Sequence, residues 1–94
     1  MKQINLGIQV VPILNAGECY PIIDACIELI QASGIKYQVT PFETVLEGPY
    51  TDIMALVYQI CRKANDLSPE TVINIRMHSK RDEDVYATDK TEKF

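Results

Sequence analysis

Residues 41 to 48 read PFETVLEG and place two carboxylates and a hydroxyl, Glu43, Thr44 and Glu47, in one short segment. Two chemistries would use such a set. An acid/base pair of carboxylates must stand close together, yet residues 43 and 47 of a regular strand share a face roughly 13 Å apart unless a turn folds them together. Recognition is the other use: a carboxylate and a hydroxyl along one edge offer hydrogen bonds to a small polar ligand. The plain alternative is a solvated surface segment. No Gly-rich phosphate loop, nucleophile elbow or locally supported Cys/His pair occurs, so a binding function without catalysis is expected.

Cys19, Cys26 and Cys61 are an odd set without CxxC spacing, and the one histidine, His78, lies far along the chain. A metal site is therefore not expected, nor any cofactor. Cys26 and Cys61 fall in apolar helical patterns, where a reduced thiol packs as a small hydrophobe. Cys19 stands nearest a helix N-terminus. The formal net charge of −4 repels phosphate backbones and anionic lipid, which argues against nucleic acid as a partner. No segment approaches the roughly 20 apolar residues of a membrane span. The opening MKQINLGIQVVPIL is interrupted by Asn5 and Gln9 and reads as a strand rather than a signal peptide, so a cytoplasmic location is expected.

With 47% hydrophobic residues, 94 residues supply one small core. Ile4, Leu6, Ile8 and Val10 alternate with polar or small residues, the period of a strand with one buried face, and Pro12 ends its regular pairing or marks a bulge. From Pro21, placed in a first helical turn, the period changes to 3.6 through Ile22, Ile23, Cys26, Ile27, Leu29 and Ile30, with Gly34 as the stop. Tyr37 and Val39 open a second strand and Thr44 to Glu47 form a third, joined as a hairpin around Thr40 to Glu43. Gly48-Pro49 starts a second helix carrying Ile53, Leu56, Val57, Ile60 and Ala64. Thr71 to His78 form the last strand, with Ile73, Ile75 and Met77 on its apolar side. This order is βαββαβ, an α+β ferredoxin-like sandwich: a four-stranded antiparallel sheet with two helices on one face.

Residues 1–79 would form that domain, and residues 80–94 a charged, solvated C-terminal tail with room for a short helix from Thr88 and Phe94 as an exposed anchor. The second sheet face, with Asn5, Gly7, Gln9 and Val11 from the first strand and Val72, Asn74, Arg76 and His78 from the last, is left either to solvent or to another subunit.

Several segments resemble the MTH1187/YkoF-like thiamine-binding protein family: Val11-Pro12-Ile13, Ala32-Ser33-Gly34-Ile35-Lys36-Tyr37, the hairpin Pro41-x-x-Thr44-x-x-Glu47-Gly48, and Lys80-Arg81-Asp82 after the last strand. The similarity covers roughly residues 4 to 90. It implies self-association through sheet faces into a dimer or tetramer, and binding of thiamine or its hydroxymethylpyrimidine moiety without a known reaction. An oligomeric regulatory or interaction module of ACT-like type is the alternative.

Under that resemblance the residue types acquire roles. An aminopyrimidine presents a ring nitrogen and an exocyclic amine along one edge. Glu47 would pair with the protonated ring nitrogen and Thr44 with the other part of the edge. Tyr37 or Phe42 would cover the ring, and Glu43 would favour the cationic thiazolium. Each has a structural alternative. Glu47 before Gly48-Pro49 favours a helix start through the dipole; Thr44 is a β-former; Glu43 is a solvated turn residue; Tyr37 and Phe42 are core or interface residues. Arg76 and His78 read as interface hydrogen-bonding residues.

Overall fold

A computed structural model describes all 94 residues. The alternation at Ile4, Leu6 and Ile8 builds strand β1 (Gln3–Pro12), whose apolar face is buried. Helix α1 (Ala16–Ser33), strands β2 (Lys36–Val39) and β3 (Thr44–Pro49), helix α2 (Tyr50–Leu67), strand β4 (Thr71–His78) and the single-turn helix α3 (Thr88–Thr91) follow. All pairings are antiparallel and the strand order is β2-β3-β1-β4, the ferredoxin-like arrangement. The core joins Ile4, Leu6 and Ile8 to Leu46 of β3, Cys26 and Ile30 of α1, and Ile53, Leu56, Val57, Ile60 and Ala64 of α2. Gly34 adopts φ 77°, the left-handed cap that ends α1. No helix is long and apolar enough to cross a membrane.

Two boundaries and the burial of one strand differ from the sequence expectation. Helix α1 begins at Ala16, so Pro21 sits inside it rather than in its first turn. The intrahelical bond that Pro21 forgoes would have gone to Gly17, and both residues are exposed, so water is at hand for the freed carbonyl. Strand β3 runs on to Pro49, which caps α2 instead of entering it. On β4, Ile73 packs against the core, but Ile75 and Met77 are half-exposed, because β4 is a sheet edge and the buried helix residues gather over β1 and β3.

The C-terminal segment is not wholly solvated. Strand β4 ends at His78 opposite Asn5, which leaves the start of β1 without a neighbour on that side. Asp84 and Val85 take the place: Asp84 Oδ1 accepts the Gln3 N–H at 3.0 Å and the Val85 N–H donates to the Gln3 carbonyl at 2.9 Å. The Val85 side chain is 1% exposed. The charge of residues 80–84 conceals this one apolar anchor.

Candidate functional site

Thr44 and Glu47 are three residues apart in β3, an odd offset, so their side chains leave the sheet on opposite faces. Thr44 lies opposite Ile8 on the helix side, whereas Glu47 lies opposite Asn5 on the open side. The expectation that the two grip one ring edge is thereby corrected by the pleat itself.

On the helix side, a cleft of about 190 Å³ opens between α1 and the β2–β3 turn. Its depth is apolar: Ile23, Cys26, Ile27 and Ile30 come from α1, Ile8 from β1 and Val39 from β2. Phe42 stands at its edge, 80% exposed, with Thr40, Pro41 and Glu43 completing the turn. Thr44 is buried in the wall. The side-chain hydrogen bonds of the turn run through Thr40, which leaves the Thr44 hydroxyl without a partner in the chain. Beyond the Ile8–Thr44 pair β3 parts from β1, while β1 continues to Pro12 beside β4. The edge of β1 at Gln9 and Val10 therefore meets the cleft with no strand beside it. An apolar cleft with an uncommitted hydroxyl and an open strand edge offers hydrogen bonds to the rim of a small, otherwise apolar ligand.

The breadth of the apolar stripe on α1 was the sequence signal for this cleft. Ile22, Cys26 and Ile30 suffice for the core, and Ile23 and Ile27, only half-buried, are the surplus that lines it. Burial raises the Cys26 thiol, with the neighbouring Cys61 adding to the shift, and burial likewise raises Cys61. Both thiols are therefore protonated at neutral pH and act as apolar packing.

Glu47 forms a different centre. Its Oε1 accepts the Ala87 N–H at 2.5 Å and Asn5 Nδ2 at 3.0 Å, and its Oε2 pairs with Lys36 Nζ at 3.2 Å. Burial alone would raise its pKa, but the bonds from Ala87, Asn5 and Lys36 outweigh that and hold it below the usual carboxylate value. Glu47 thus ties β1, β2 and the C-terminal segment together.

The remaining expected residues divide between the two sides. Tyr37 lies opposite Leu46, two positions along β2 from Val39, and is not part of the cleft wall. The Glu43 carboxylate points to the open face, where Oε1 pairs with Arg76 at 3.0 Å and Oε2 lies over Gly7. That face forms a groove of about 370 Å³ bounded by Asn5, Gly7, Arg76 and His78 and by Ala87 and Lys90 of the C-terminal segment. Lys90 Nζ meets His78 Nδ1 across it. No three His, Cys, Asp or Glu side chains converge on a common point able to hold a metal ion.

Comparison with known proteins places this geometry among relatives. A family model described as "Thiamine-binding protein" matches residues 6–94. A UPF0045 protein of Clostridium perfringens is 33% identical over 57 residues, which are 61% of this chain and 60% of that protein, so the chain spans about three fifths of that relative. The solved structure of a DUF77 domain of unknown function from Bacillus cereus superposes with a TM-score of 0.90 at 28% identity, covering 99% of this chain and 90% of that one. A candidate thiamine biosynthesis/salvage protein from Thermotoga maritima gives a TM-score of 0.90 at 28% identity, covering 97% of each chain.

Proposed function

Since the chain belongs to the thiamine-binding protein family, we propose that it holds the aminopyrimidine end of thiamine, or free hydroxymethylpyrimidine, in the cleft between α1 and the β2–β3 turn, and that it performs no reaction there. The observation that carries this reading is the hydroxyl of the largely buried Thr44, which has no hydrogen-bond partner within the chain and lines an otherwise apolar cleft beside the open edge of β1. An aminopyrimidine has a rim of ring nitrogens and an amine to meet those groups, and flat faces to meet Ile23 and Ile27. Pockets for drug-sized ligands run to roughly 300–1,000 Å³, so a cleft of about 190 Å³ suits one small ring. The thiazolium would then project past Phe42, whose exposed ring attracts a cation. Glu47, on the other face, has no direct part in this reading.

Calorimetry of ligand-free protein tests it. Thiamine and hydroxymethylpyrimidine should bind with micromolar or tighter affinity, a pyrimidine lacking the amine should not, and Thr44→Val should weaken binding about three- to tenfold, the scale of one hydrogen bond. Absence of heat from folded protein, or binding indifferent to the amine, would sink the assignment.

The same reading includes self-association into a dimer or tetramer. Val72, Ile75 and Met77 of β4 are half-exposed apolar side chains on an edge strand, the kind of surface that a second subunit covers. Action in the cytoplasm is part of the proposal as well, and three free cysteines suit a reducing compartment. A regulatory module of ACT-like type would differ in one respect: ligand would change the assembly, which light scattering with and without thiamine distinguishes.

A further inference from the structure

Glu43 borders the cleft and two grooves on the open side of the sheet, whereas Gln9 and Phe42 border the cleft and one of those grooves. The turn that Glu43 closes is tied to itself: the Thr40 N–H and hydroxyl both donate to the Glu43 carbonyl, at 2.9 and 2.6 Å, and the Thr40 hydroxyl accepts the Glu43 N–H at 3.1 Å. These bonds lie within residues 40–43 and tie that unit to nothing beyond itself. Little else holds that unit down. Strand β2 is a four-residue exposed edge, Phe42 is largely in solvent, and pairing with β1 stops at Ile8–Thr44. The one hydrogen bond or ion pair from the turn to the rest of the chain is the Glu43 side chain reaching over β1 to Arg76 on β4.

The path of that side chain explains a glycine. Gly7 lies between the two, paired with Val45 and Arg76, and a Cβ there would stand 2.5 Å from Glu43 Oε2. Any larger residue would occupy the seat of the carboxylate. We propose that the Glu43–Arg76 pair, seated over Gly7, is a clamp that holds the Thr40–Glu43 turn in place as a wall of the ligand cleft, which makes Glu43 and Arg76 positioning residues acting from the opposite side of the sheet. The identity of the ligand rests on the thiamine reading above; the clamp rests on these contacts alone.

Gly7→Ala, Arg76→Met and Arg76→Lys test the clamp. The conflict at Gly7 is with the far end of a flexible side chain, so Gly7→Ala should displace the carboxylate while the backbone stays in place. Amide exchange at Phe42 and Glu43 in ligand-free protein should rise about two- to fivefold in Gly7→Ala and Arg76→Met, the scale of a partly exposed ion pair. The thiamine Kd should rise by a similar factor, Arg76→Lys should stay near the parent, and Gly7→Ala should add nothing once Arg76 is gone. Unchanged exchange in folded Arg76→Met removes the clamp, whether or not thiamine binds. Faster exchange with an unaltered thiamine Kd overturns its link to the cleft. If the parent protein binds no thiamine, the ligand assignment falls and the exchange result alone decides the clamp.

Discussion

The Glu47 carboxylate is buried and yet kept ionised, because the Ala87 N–H, Asn5 and Lys36 satisfy its oxygens. Its folded pKa lies below the ordinary 4.5. A lowered pKa contributes stability that is fully present above the unfolded value and is lost as pH falls through the folded one. Acid should therefore loosen the attachment of residues 84–87 to β1 below about pH 4.5, as Glu47 takes up a proton. Glu47→Gln should cost about 1–3 kcal/mol in urea unfolding at pH 7, the scale for hydrogen bonds to a charged group reduced to neutral ones, and the gap from the parent should narrow at pH 3. An equal gap at both values would remove Glu47 from the acid response. Thr44 is the contrasting case: it has no partner to lose, so Thr44→Val should leave stability within about 0.5 kcal/mol while weakening the ligand.

Among the elements, the C-terminal segment has the least predictable role. Its charged residues mark it as a tail, yet Val85 fills the gap left where β4 runs out opposite Asn5. Val85→Ala should lower the unfolding free energy by about 1–3 kcal/mol, the range for deleting two buried methyl groups. The urea m-value should be unchanged, since the surface exposed on unfolding is nearly the same. A loss under about 0.3 kcal/mol would show that the segment is not docked in solution. Helix α1 poses the opposite case, because its apolar stripe is broader than its core contacts and the excess faces the cleft. Periodicity was enough to read the four strands and the two long helices, whereas the use of that excess depended on where the hairpin turned.

For the whole molecule, the two sheet faces are unequal: helices cover one, and the other has only Asp84 to Thr91 along part of its rim. Light scattering after size-exclusion chromatography should give a dimer or tetramer of the 10.6 kDa chain; a monomer at tens of micromolar would dismiss the sheet as an assembly surface. Periodicity alone made legible the element order, the strand Thr71–His78 to the residue, the Gly34 cap, the open-face positions of β1 and β4 and most of the helix-side core apart from Ile75 and Met77, because burial on one face imposes a period of two or 3.6 along the chain. The alternation also held, unused, the fact that Thr44 and Glu47 diverge. Three features come from the folded chain alone: Glu43 reaches Arg76 over Gly7, Glu47 is spent on the C-terminal segment, and a cleft lies between α1 and the turn. Each of these depends on residues 33 or more positions apart meeting, or on β1 running past its last pair with β3 at Ile8 to Pro12. Such long-range meetings have no period, so no pattern along the chain announces them.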